Sequence, residues 1–210
     1  MIEIVNCKKR YEDTVVFKNI SLTANRGDCI VLLGANGSGK TTLLKALLGI
    51  IGMDEGKIII EENHSIGFLL DDQLLYDELS IENNMKIYCP LSRIKRRQRK
   101  DSIKRWLNYF GLYGYRKKKV KNISAGMKRR LSLAIANLND PDIFLLDEPF
   151  NGLDSEFQEK FTNLVRDKIH DGAVAIISSH NIELMKPLAN RWVNLNDSQL
   201  SEQQEGGVAL

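Results

Sequence analysis

An α/β fold follows from the sequence: a sheet of mainly parallel strands, an antiparallel β-subdomain on the N-terminal side and an α-helical subdomain inserted near the middle. Three features carry that expectation. Apolar runs without polar alternation, at residues 29–33, 143–146 and 173–177, have the pattern of strands buried on both faces. The first of them ends in a glycine-rich stretch and continues into residues 42–48, whose Ala, Leu and Lys content favours helix. Between about Ser80 and Leu138, apolar residues recur at helical spacing instead.

At 210 residues the chain suits one domain and can bury a sizeable core. No apolar run approaches the roughly 20 residues needed to span a bilayer, and the Met-Ile-Glu-Ile start lacks a secretory pattern, so a cytoplasmic protein is expected. Cys7, Cys29 and Cys89 are widely spaced and lack metal-ligand spacing; they read as ordinary reduced residues. The net charge of +3 hides an uneven distribution. From Arg93 to Arg130 there are 16 Lys and Arg against one acid, Asp101, leaving 14 basic and 26 acidic residues elsewhere.

Taken in order, residues 2–6 and 14–17 are short β-prone runs separated by a polar turn at Glu12 and Asp13, which predicts an antiparallel edge. Tyr11 at that turn is either a half-exposed strand residue or a ring that stacks on a base. Gly34-Ala35-Asn36-Gly37-Ser38-Gly39-Lys40-Thr41 matches the G-x-x-x-x-G-K-[ST] pattern of a phosphate-binding loop, in the strand-loop-helix setting the motif requires. Its glycines let successive N–H groups face a phosphate, and the helix that follows aims its partial positive end at the same point. Lys40 is expected on the β- and γ-phosphates, Thr41 on Mg²⁺ and Thr42 on the α-phosphate.

Residues 57–60 and 65–70 read as further strands, followed by the polar segment Asp71, Asp72, Gln73. Ser80 is a candidate N-cap for a helix with Ile81, Met85 and Ile87 or Tyr88 near one face. In the basic stretch, Ile103, Leu107 and Phe110 form an apolar stripe, so most of the nearby rings pack inside the lobe. Its cations are a solvated face, or a surface for an anionic membrane or a single-stranded nucleic acid. Ser124 caps a helix running to about Leu138, and Ala125 and Gly126 leave its first turn bare enough to accept an anion closely.

Residues 142–149 form an apolar strand ending in Asp147, Glu148 and Pro149. A buried strand has no need of two acids at its tip, which implies a cation or a proton-transfer task. Asp147 is the expected Mg²⁺ residue and Glu148 the group that polarises an attacking water. Gly152, Leu153 and Asp154 lead into a helix to about His170. The strand of residues 172–178 is followed by His180, and a polar tail from Ser201 is expected to fray. His64 and His170 sit in no patterned site.

Together, in this order and spacing, these motifs resemble the ATP-binding cassette of ABC transporters over nearly the whole chain. The resemblance implies a P-loop NTPase (RecA-like) core at residues 1–75 and 139–210, with a helical signature subdomain at residues 76–138. Residues 34–41 look like Walker A, Asp147 and Glu148 like Walker B with its catalytic glutamate, and residues 123–127 like the LSGGQ signature. Gly152 to Asp154 resembles the D-loop and His180 the switch histidine, while Tyr11 takes the A-loop position and so an adenine-stacking role.

Two departures stand out. Ala125 and Met127 replace a glycine and a glutamine of the signature, and Asp71, with Gln73 two places on, falls where the Q-loop glutamine is usual. The resemblance implies a dimer, of like or unlike cassettes, in which Ser124 and Gly126 of one chain complete the ATP site of the other. A separate transmembrane permease subunit is the expected partner, with the cassette peripheral on the inner membrane face, and the lack of a C-terminal regulatory domain looks more like exporters. The alternative is a non-transport ABC ATPase acting on nucleic acid or ribosomes. Such relatives usually carry two cassettes or long coiled-coil insertions, so nucleic acid is not an expected partner.

Overall fold

The computed structural model describes residues 1–70, 75–91, 94–196 and 199–204. Strand β1 (Ile2–Tyr11) pairs antiparallel with β2 (Thr14–Ala24) on one side and β4 (Glu55–Ile60) on the other. Both β1 and β2 outrun the short segments expected from the sequence. Register shifts between Ile4 and Cys7 and between Cys7 and Lys9 explain why. Asn6 and Asn19 take φ of 47° and 52° there, and such bulges break the alternation that marks a strand in sequence while pairing resumes beyond them.

The larger sheet has the order β5-β6-β7-β3-β8-β9, with β3 (Cys29–Leu33), β5 (Ile66–Leu69), β6 (Ile143–Asp147), β7 (Val174–Ser178), β8 (Arg191–Asn196) and β9 (Gln199–Gln204). All neighbours are parallel except β8 and β9. The central strands are buried on both faces. Ile30, Leu32, Ile143, Leu145 and Ile176 pack towards helix α1 (Lys40–Leu47) and the antiparallel sheet. Cys29, Val31, Phe144, Leu146 and Ile177 pack towards the helices of the other face.

Hairpin β8–β9 corrects the expectation that the tail frays from Ser201. Its ladder runs from Arg191 opposite Gln204 to Asn196 opposite Gln199. Backbone bonds hold such a pair without an apolar run, so polar composition conceals it. Residues 205–210 lie outside the described residues.

Between β5 and β6 the chain forms α2 (Ile81–Leu91), α3 (Arg99–Tyr109) and α4 (Ala125–Ala136). Ser80 does cap α2, its hydroxyl accepting from Asn83 N–H at 3.2 Å. The stripe Ile103, Leu107, Phe110 is buried, and Trp106 and Phe110 each pack on the Tyr109 ring at 5.6 and 5.2 Å between centroids. These rings join the apolar core on the helical face of the sheet, Phe110 lying 6.4 Å from Phe161 between ring centroids, whereas Tyr115 remains exposed. After β6 come α5 (Ser155–His170) and the short α6 (Ile182–Met185).

Candidate functional site

Strand order assembles the site. β3, β7 and β6 lie side by side and parallel, so the segments leaving their carboxyl ends meet at one edge, where α/β sheets place their ligands. From β3 comes the glycine-rich loop. Gly39 precedes α1 at φ 101° and ψ 7°, a left-handed conformation that glycine adopts without a Cβ penalty. A Cβ there would also fall 2.6 Å from Val16 Cγ1. Lys40 Nζ lies across the loop and donates to the carbonyls of Gly34 at 2.7 Å and Ala35 at 2.9 Å. The Ser38 hydroxyl is buried without a hydrogen-bond partner among the described residues.

From β6 come the two acids. Thr41 Oγ1 donates to Asp147 Oδ2 at 2.5 Å, while the Ser178 hydroxyl of β7 donates to Asp147 Oδ1. Glu148 stands at φ 46°, and its N–H reaches both the carbonyl and the hydroxyl of Ser178 at 3.1 Å. Its Oε2 is 2.9 Å from Nδ1 of His180, which follows β7. Pairing of Asp147 with Ser178 at the ends of adjacent strands is what brings this acid and this histidine together.

A cavity of about 570 Å³ lies at this edge, and Tyr11, Asn36, Gly37, Gly39, Lys40, Thr41, Thr42, Asp147 and Glu148 all line it. Tyr11 is half exposed at its rim, with the Lys9 ammonium 5.3 Å from the ring centroid. A larger cleft of about 660 Å³, by His64 and Arg105, contains none of the expected site residues. Ser124 and Gly126 are not among the described residues that line the site cavity. Ser124 caps α4, accepting from Met127 N–H at 3.2 Å, and a Cβ on Gly126 would stand 3.1 Å from the Gly152 carbonyl. Asp154 caps α5 through Phe157 N–H at 2.9 Å. Asp71 and Gln73 lie outside the described residues.

Two residues whose side chains bond to Asp147 and Glu148 escaped the sequence reading. One is Ser178, which touches both acids. The other is Arg129, which also lines the cavity and is only 6% exposed. It is hidden within the run Lys128, Arg129, Arg130, yet shares its spacing with Ser132, Leu133 and Ala136, all buried in α4. That 3-4-7 spacing was the available signal.

A family model described as ABC transporter matches residues 17–151, and one described as an AAA domain, putative AbiEii toxin, matches residues 119–186. The chain belongs to the ABC transporter family. This cassette is similar to the lantibiotic transport ATP-binding protein SrtF of Streptococcus pyogenes, 32% identical over 197 residues that cover 90% of this chain and 84% of that one. It is similar, too, to the ABC transporter ATP-binding protein YybJ of Bacillus subtilis, 35% identical over 214 residues, 98% and 97% of the two chains. A dimeric ATP-binding cassette solved in a post-hydrolysis state with ADP and phosphate overlays it with a TM-score of 0.87, at 24% identity over 99% of this chain and 100% of that one.

The fold is therefore that of a P-loop NTPase cassette, and the protein is an ABC ATPase that binds ATP. ABC ATP-binding subunits work with transmembrane partners and dimerise. Among the described residues of this one, no helix is long and apolar enough to cross a membrane.

Proposed function

We propose that this cassette hydrolyses ATP to power export through a separate transmembrane subunit, paired with a second cassette on the inner membrane face. The gathering of the Lys40 loop, Asp147 and Glu148 around one cavity carries the reading. Loop N–H groups and Lys40 hold the β- and γ-phosphates, Thr42 the α-phosphate, and the half-exposed Tyr11 stacks on adenine. Thr41 and Asp147 offer hard oxygen donors 2.5 Å apart, and no group of three His, Cys, Asp or Glu among the described residues makes an all-protein metal site. That donor set fits Mg²⁺, which takes one or two protein oxygens and completes its shell with phosphate and water. Bound there, it would neutralise charge on the phosphate oxygens.

Glu148 accepts the proton of the water whose oxygen attacks the γ-phosphorus, while the bond to the bridging oxygen breaks to release ADP and phosphate. His180, through Nδ1, holds the Glu148 carboxylate in place. Asp71 is assigned a supporting role beside the water or the cation. Ser124 and Gly126, away from their own chain's cavity, serve the γ-phosphate of the second cassette through the bare helix end. Export is favoured by the Ser-x-Gly-Met form of the signature. The same reading turns the basic face of the helical lobe towards anionic headgroups.

One isolation tests this. Glu148→Gln, purified from its own membranes in mild detergent with ATP, is expected to hydrolyse on the order of 100-fold more slowly than the wild type. It should retain unhydrolysed ATP, a second cassette and a polytopic membrane protein. Wild-type hydrolysis by the variant would overturn the role of Glu148. Ribosomes or nucleic acid in place of a membrane subunit would favour the non-transport alternative, and a co-isolated solute-capturing protein would overturn export.

A further inference from the structure

We infer that Arg129 is a positioning residue for Glu148, fixing the turn that carries the carboxylate and tying it to the helix that carries Ser124 and Gly126. The inference rests on Glu148 being the base. From its buried place on α4, Arg129 Nη2 donates to the Asp147 carbonyl at 3.0 Å and to the Glu148 carbonyl, and Nε donates to the Pro149 carbonyl at 3.4 Å. Three successive carbonyls thus converge on one guanidinium. A planar fork with five donors suits such a target; an ammonium, a point charge on a flexible stem, does not.

The turn needs holding. Glu148 sits at φ 46°, where an L-residue with a Cβ is strained, and strained backbone persists only where its surroundings over-determine it. On one side Ser178 receives the Glu148 N–H. On the other side Arg129 takes the carbonyls. Were the peptide to relax, the Glu148 side chain would leave the direction in which its carboxylate meets His180 at 2.9 Å and borders the cavity.

The same helix touches the turn a second time, where Gly126 lies against the Gly152 carbonyl closely enough that an added Cβ would stand 3.1 Å away. Two contacts along α4, at its first turn and at Arg129, join the anion-accepting helix end to the catalytic turn. A displacement of that helix is therefore transmitted to the carboxylate of its own chain.

The test compares wild type, Arg129→Met, Arg129→Lys and Glu148→Gln by steady-state hydrolysis and by ATP binding. Arg129→Met keeps the aliphatic stem and removes every donor. It should keep KM and ATP affinity within about twofold while kcat per bound nucleotide falls on the order of 10- to 100-fold, the scale of a misplaced catalytic group. Arg129→Lys should recover part of that loss. An Arg129 that only supports the fold would lower melting temperature and nucleotide occupancy with kcat per bound nucleotide unchanged, and that result overturns the inference. So does a rise in KM at constant kcat. Wild-type hydrolysis by Glu148→Gln would instead overturn the reading on which the inference rests, whatever the Arg129 variants do.

Discussion

Gly39 and Glu148 take positive φ, 101° and 46°, and both line the same cavity. The first is met with glycine, while the second, with a side chain required, is held from outside by Ser178 and Arg129. Gly39→Ala should consequently weaken ATP binding at least tenfold and cost about 1–2 kcal/mol of stability from backbone strain, because its methyl would also meet Val16 Cγ1 at 2.6 Å. Nucleotide titration and thermal melting measure both; unaltered affinity would show that the left-handed turn is dispensable. Cys7, Cys29 and Cys89 are all buried. Burial, with Asp28 adding to it, pushes the Cys29 thiol up to about 12, and burial likewise raises Cys7 and Cys89, leaving no thiolate nucleophile. Lys40, Thr41, Asp147 and Glu148 were legible because phosphate chemistry demands those residue types at set spacing. Arg129 was missed because the basic run around it masks the one signal of its burial, its helical spacing with Ser132, Leu133 and Ala136.

At the scale of elements, strand ends carry the organisation. Opposite the site, Asp142 at the start of β6 clips the start of β5: its Oδ2 accepts from Ser65 N–H and Ser65 Oγ, each at 2.8 Å, with His64 Nδ1 3.8 Å away. Burial pushes this carboxyl up, but the Ser65 donors and His64 outweigh it and hold the group below the usual carboxylate range. A folded pKa below the unfolded one means that its stabilisation is complete above the unfolded value of about 3.9 and is lost as pH falls through the folded value. Asp142→Asn should therefore cost about 0.5 kcal/mol at pH 7, solvent screening limiting the effect of a carboxylate this exposed. Its stability should also fall less steeply than the wild type's on acidification below pH ~4. Urea melts at neutral and acidic pH decide this, and parallel curves for the two proteins would remove Asp142 from the account. Helix caps at Ser80 and Ser124 were open to sequence because each is local. The lengths of β1 and β2 were not, because bulges interrupt their alternation.

On the scale of the molecule, the charge asymmetry becomes a surface. Lys119 and Lys121 pair with Glu78, Lys128 with Asp77 and Arg105 with Asp140. Lys95, Arg96, Arg97, Lys100, Lys104 and Lys117 are exposed and form no ion pair among the described residues. Exposed cations of that number should bind vesicles containing anionic phospholipid and release them as salt rises. Lys100→Ala and Lys104→Ala should each weaken co-sedimentation about fivefold, the equivalent of ~1 kcal/mol per cation. Equal binding to anionic and zwitterionic vesicles would mean a merely solvated face, and tighter retention of RNA at the same salt would transfer the surface to nucleic acid.

By itself the sequence determined the class of the protein, the phosphate loop, the two acids at a strand tip and the capped helix of the signature. Each is written in residues close together in the chain, where backbone conformation and spacing are set by local sterics and hydrogen bonding. Only the tertiary structure decided the order β5-β6-β7-β3-β8-β9, the pairing of the polar strand β9, the convergence of Asp147, Ser178, Glu148 and His180, and the burial of Arg129 beneath them. It also left Ser124 and Gly126 outside the cavity that their own chain lines. These features depend on contacts between segments far apart in sequence, and periodicity within one segment does not say which other segment it meets.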